Sequence, residues 1–182
     1  MTSTLLARTE SKIVVVQGEY SISTKPEIVL STLLGSCVAM CLHDPIARVG
    51  GMNHFLLPGT EREEDGATSL RYGAYAMELL VNGLLAHGAK RSRLEAKLFG
   101  GARMLAGLTD LGSRNAEFAE QYVRRENIAF TGGSLRGERG RRIEFWPHSG
   151  RTRQLWVGGD FRVFASERYV APAADPGTVE LF

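Results

Sequence analysis

The sequence predicts an α+β sandwich: mixed β-sheets flanked by helices, in a single domain with a loose N-terminal arm and a C-terminal tail. Three observations predict it. Segments of strand composition outnumber those with helical spacing. Two amphipathic helical stretches interrupt them, so the chain is not all-β. The order also lacks the strict strand–helix alternation that builds a parallel α/β sheet. A length of 182 residues suits one domain, and 43% hydrophobic residues can fill its core.

Residues 1–12 read as the arm and 13–170 as the domain. "KIVVVQGEYSIS" is rich in β-branched residues and reads as a strand, punctuated by Pro26. "EIVLSTLLG" is a second apolar run ending at Gly35, and "SCVAMCLHD" a third, bounded by the Asp44–Pro45 turn signal. "ARVGGMNHFLLP" breaks at Gly50–Gly51 and continues as a short strand. "GTEREEDGATS" is charged and poor in apolar residues, which predicts a long rim loop. "LRYGAYAMELLVNGLLAHG" carries Tyr72, Tyr75, Met77, Leu80 and Leu84 at helical spacing, with Gly88 as C-cap. "SRLEAKLFGG" reads as a strand. "NAEFAEQYVRREN" is a second helix whose late arginines suit the helix dipole. "IAF" starts a strand entering a Gly- and Arg-rich loop, and "RRIEFWP" with "RTRQLWV" forms a hairpin. "DFRVFASERYV" predicts one more strand, and residues 171–182 a flexible tail.

A formal charge of +2 is too mild to imply nucleic acid. Six arginines between Arg136 and Arg153 face only Glu138 and Glu144, so a basic stripe there could meet an acidic partner. No segment approaches the roughly 18 apolar residues of a membrane span, and the N-terminus lacks a secretory pattern. The expected compartment is the reducing cytoplasm, where two cysteines are free thiols.

Chemistry concentrates between Ser31 and Pro58. Cys37, Cys41, His43 and His54 superficially resemble zinc-ligand spacing. A strand rising about 3.3 Å per residue would hold Cys37 and Cys41 roughly 13 Å apart, whereas two zinc-bound sulfurs lie within about 4 Å. No metal or cofactor is therefore expected, and Cys41 reads as core. Cys37 could also be core. Its flanks suggest more: "LLGSC" sets a small-residue turn just before the thiol, able to aim backbone N–H groups into a cleft. A nucleophilic cysteine needs a base, and His54 follows seventeen positions later in a strand-like segment. Ser31 and Thr32, on the strand before the cysteine, offer a hydroxyl to orient the imidazole. His43, His87 and His148 lie beside turns or a helix end and are weaker candidates.

"LLGSCVAMCLHDP" followed by "GGMNHFLLP" resembles the CheD family of chemoreceptor glutamine deamidases, and the likeness continues in "EAKLFGGARM" and "GSRNAEF", over roughly residues 13–160. The resemblance implies Cys37 as nucleophile, His54 as base and a hydroxyl six residues before the cysteine, which here is Ser31. The family usually has threonine there, so Ser31 is a departure, and adjacent Thr32 is the alternative. It implies hydrolysis of glutamine side chains to glutamate, with release of ammonia, on the cytosolic helical region of methyl-accepting chemotaxis receptors. It further implies a contact with the chemotaxis phosphatase CheC, so a non-catalytic adaptor is the competing reading. Phe99, ahead of Gly100–Gly101, is a candidate exposed anchor for such a contact.

Overall fold

The computed structural model describes residues 10–58, 63–104 and 111–157. The backbone forms nine strands and two α-helices among these residues: β1 (Ser11–Val14), β2 (Tyr20–Ser23), β3 (Ile28–Leu34), β4 (Val38–Asp44), β5 (Val49–Asn53), α1 (Glu63–Ala86), β6 (Glu95–Gly100), α2 (Leu111–Arg125), β7 (Ala129–Leu135), β8 (Arg141–Trp146) and β9 (Arg151–Trp156). They build a four-stranded sheet, β1-β3-β8-β9, and a five-stranded sheet, β2-β5-β4-β6-β7. Each contains one parallel pair, β1 with β3 and β6 with β7, among antiparallel neighbours. The α+β sandwich of mixed sheets is therefore the observed class. Both helices pack against the five-stranded sheet.

The layers follow from the two-residue period of β4. Val38, Met40 and Leu42 point to one side and join Met77, Leu80, Leu84, Phe118 and Val123 of the helices in one core. Cys37, Ala39 and Cys41 point to the other side and join Leu30, Leu34, Ile143 and Phe145 of the four-stranded sheet in a second core. A strand covered on both faces reads as a continuous apolar run, and β4 is apolar from Val38 to Leu42, with His43 and Asp44 buried at its end.

Three expectations need correction. "KIVVVQGEYSIS" is two strands, one in each sheet, because a turn at Gln17–Gly18 divides it. Ser11 and Lys12, assigned to the loose arm, already belong to β1 and pair with Ile28 and Val29. The charged stretch before Leu70 is helical from Glu63, so α1 extends well ahead of its apolar spacing. The predicted strand over 160–170 and the tail 171–182 lie outside the described residues. No helix among the described residues is long and apolar enough to cross a membrane.

Candidate active site

β4 and the segment after β5 stay in antiparallel register beyond the strands. Val38 bridges Phe55, with Val38 N–H donating to Phe55 O at 3.0 Å and Phe55 N–H to Val38 O at 2.9 Å. This register sets Ala39 opposite His54 and Cys37 opposite Leu56. Cys37 and His54 are thus diagonal neighbours on one face of the sheet, the face turned toward the second sheet. Diagonal partners lie about 7–8 Å apart at Cα, within reach of long side chains. Sequence reasoning named both residues, and the register sets them at diagonal positions of one face.

The turn carrying Cys37 is clamped from behind through its carbonyls. Ala102 N–H donates to Gly35 O and Gly101 N–H to Cys37 O, both at 2.8 Å, and Asn115 Nδ2 donates to Ser36 O at 2.9 Å. The glycine pair after Phe99 permits this approach. Gly100 has φ +105°, and a Cβ there would lie 2.1 Å from Cys37 O, so no L side chain fits. Asn115, fully buried on α2, also accepts from Leu57 N–H through Oδ1 at 2.9 Å. One side chain thereby ties the Cys37 turn to the segment that follows His54. Sequence reasoning missed this role, although "GSRNAEF" lay within the resemblance; a buried asparagine in an amphipathic helix was the available signal.

The hydroxyl that meets His54 belongs to Thr32. Its Oγ1 lies 2.8 Å from His54 Nδ1 and donates to Val15 O at 2.7 Å. Ser31 does not share this face. In β3, Leu30, Thr32 and Leu34 alternate toward the inter-sheet core, while Ser31 pairs with Glu144 and Val14 on the outer face. Glu144 there holds Lys12 and Arg153. Thr32, the alternative to Ser31, is therefore the residue whose hydroxyl reaches His54, because the side-chain period of the strand turns Ser31 away.

The hydrogen bonds also assign the imidazole tautomer. The single proton of Thr32 is committed to Val15 O, so its oxygen accepts from Nδ1–H. Val15 O is itself 3.4 Å from Nδ1 and suits a second acceptor for the same proton. The lone pair then resides on Nε2, which is buried and has no hydrogen-bond partner among the described residues. Burial is the main cause that lowers the His54 pKa to about 4, against a smaller upward pull from Val15 O. His54 is thus a neutral ring with an unengaged acceptor nitrogen, the form a general base requires.

Cys37 is fully buried, yet its sulfur is not lined by hydrocarbon alone: the thiol donates to Gln17 Oε1 at 3.6 Å. Cys41 lies farther along the same face, and burial pushes its thiol well above the ordinary range, as befits a core residue. No three His, Cys, Asp or Glu side chains among the described residues converge as metal ligands. His43 is buried rather than at the surface and packs against Gly150. His87 and His148 bond to the backbone carbonyls of Gly83 and Thr24. Phe99, considered as an exposed anchor, is 6% exposed and belongs to the inter-sheet core.

The arginine-rich stripe is largely committed within the fold. Arg141 is fully buried and donates to the carbonyls of Ser134 and Arg136. Arg136 makes a two-point pair with Glu120, Arg153 pairs with Glu144, and Arg151 stacks over Trp146 at 3.8 Å. Arg139, Arg142, Arg151 and Arg153 remain exposed, the last two while engaged with Trp146 and Glu144, so a partner would meet a basic surface that is partly neutralised.

Comparison with known proteins places the chain in a family. The family described as "CheD chemotactic sensory transduction" matches residues 56–154. A protein of Acidiphilium cryptum named "Probable chemoreceptor glutamine deamidase CheD" is 56% identical, the match covering 94% of this chain and 93% of that protein. Proteins of the same name from Caulobacter sp. and Rhizobium leguminosarum are 52% and 51% identical, covering 94% and 91% of this chain and 93% and 91% of their own lengths. Matches this long span both sheets and the segment from Cys37 to His54, and this chain belongs to the CheD family.

Proposed function

We propose that this protein hydrolyses glutamine side chains of chemoreceptors to glutamate, with Cys37 as nucleophile, His54 as base and acid, and Thr32 as the group that orients the ring. The observation that carries the reading is the 2.8 Å contact between His54 Nδ1 and Thr32 Oγ1, whose own proton goes to Val15 O. Nδ1–H is held by Thr32, and Nε2 is left as acceptor on the sheet face that also bears Cys37.

Nε2 takes the thiol proton, and the sulfur attacks the glutamine Cδ. The carbonyl electrons move onto oxygen, giving a tetrahedral oxyanion. Backbone N–H groups of the Gly35–Cys37 turn are assigned to that charge in this reading; the carbonyls of the turn are held by Ala102, Gly101 and Asn115. The imidazolium then protonates the leaving nitrogen, ammonia departs and a thioester remains. Water, deprotonated by Nε2, attacks the thioester, and glutamate leaves as the thiol is restored. Throughout, Thr32 keeps Nδ1–H in place, as the third member of a triad does.

The partner is the receptor segment bearing the glutamine, and the relatives' name supports that class of substrate. Mass spectrometry of a cytosolic receptor fragment incubated with the protein tests the reading. A gain of about 1 Da at particular glutamines is expected, since acyl transfer to water exchanges NH2 for OH. The Cys37→Ala protein should leave the fragment unchanged; equal turnover by that variant would remove Cys37 from the mechanism.

A further inference from the structure

The link between the two sheets runs directly over the nucleophile. Val16 to Glu19 form a turn closed by Glu19 N–H donating to Val16 O at 3.1 Å, with Gly18 at φ +87° in the position that needs a left-handed residue. The turn is bolted to His54 on both sides of the peptide chain: Gly18 N–H donates to His54 O at 2.7 Å, and His54 N–H to Glu19 O at 3.0 Å. Gln17, at the corner, is half-buried and places its carboxamide oxygen 3.6 Å from Cys37 Sγ.

A glutamine side chain therefore already sits at the sulfur of a protein whose reaction consumes glutamine side chains. It has the same functional group as the substrate, approaches from a partly exposed turn, and touches a sulfur that is otherwise fully buried. We propose that the Gln17 carboxamide occupies the subsite that receives the substrate's glutamine, so that an incoming side chain must displace it. This assignment of the guest rests on the deamidase reading; the occupancy of the sulfur does not. The exposed apolar side chains of Val14, Val16 and Tyr20 lie along the same connection, and the segment presenting the guest glutamine would meet them first.

The competition has a readable size. A tethered occupant reduces apparent affinity by the fraction of time the site is open. One thiol–carbonyl hydrogen bond corresponds to about three- to tenfold.

The test is the rate at which iodoacetamide alkylates Cys37, followed by peptide mass spectrometry with buried Cys41 as internal control. Gln17→Ala should alkylate about three- to tenfold faster than the parent. Gln17→Glu, which keeps an acceptor oxygen of the same reach, should stay shielded. On a receptor fragment, Gln17→Ala should raise kcat/KM by a similar factor through a lower KM. Conversion of residue 17 itself to glutamate, dependent on Cys37, would also support the assignment. Unchanged alkylation in Gln17→Ala would overturn it, and so would a fall in kcat, which would make Gln17 part of the catalytic apparatus. Faster alkylation with no receptor turnover by either protein would uphold the occupancy and remove the receptor as guest.

Discussion

Thr32→Val is the sharpest perturbation of the catalytic geometry. Valine keeps the branched shape and removes only the hydroxyl. Two bonds disappear: the one to Val15 O at 2.7 Å and the one to His54 Nδ1 at 2.8 Å. Thr32 is 3% exposed, so water does not replace them. Val15 O lies 3.4 Å from Nδ1, too far to restrain the ring by itself at full strength. A buried group left unsatisfied costs about 1–3 kcal/mol. If that loss falls on the orientation of the imidazole, kcat/KM should drop roughly 10- to 100-fold. Thr32→Ser restores the hydroxyl and should recover most of the rate. Ser31→Ala, buried on the face of β3 that turns away from His54, should stay within about twofold, because it touches none of the reacting groups. Initial rates of ammonia release from a receptor fragment, measured for the three variants beside the parent, give the comparison. A fully active Thr32→Val together with a crippled Ser31→Ala would refute the reasoning and restore Ser31 to the role.

His54 also makes a pH prediction. Its folded pKa of about 4 lies below the ordinary 6.5 because burial disfavours the charged ring. The stability contributed by the neutral ring is complete above pH 6.5 and is lost as the pH falls from there through about 4. The difference amounts to about 3 kcal/mol at most. Urea midpoints at pH 7 and pH 4 should therefore separate more for the parent than for His54→Gln, and equal separations would contradict the burial argument. Asn115→Ala leaves Leu57 N–H and Ser36 O without their buried partner, which should cost about 2–4 kcal/mol in chemical denaturation; a change below about 0.5 kcal/mol would deny it the clamp.

The proposed catalytic pair was legible in the sequence because both members lie in short, unusual motifs: a thiol after a small-residue turn, and a histidine after a glycine break. The orienting hydroxyl was not, and the reason is local. The resemblance fixes a position six residues before Cys37, but Gly35, Ser36 and Cys37 form a bend between β3 and β4, so a count along the chain does not set which side chain of β3 faces the histidine. The bend carries the chain from one sheet to the other, so the phase of β4 says nothing about the phase of β3. Within β3 the phase is set by Leu30 and Leu34, which flank Thr32 at even spacing; Val29 and Leu33 on the opposite phase are equally apolar and conceal the choice. The split of "KIVVVQGEYSIS" was hidden for a related reason, since its β-branched residues suit a strand on either side of Gly18. Arg141 illustrates the reverse error. Composition groups it with surface arginines, while its carbonyl partners are supplied by β7 and the loop before β8.

Because Cys37 and His54 flank strands of the five-stranded sheet and Thr32 lies in the four-stranded one, the proposed mechanism makes these three residues a joint between two plates. Sliding one plate by a fraction of a side chain would disarm the imidazole while every strand kept its own ladder. Reactivity in this protein is therefore tied to how the plates are mated, and selection on the apolar filling between them is also selection on the chemistry.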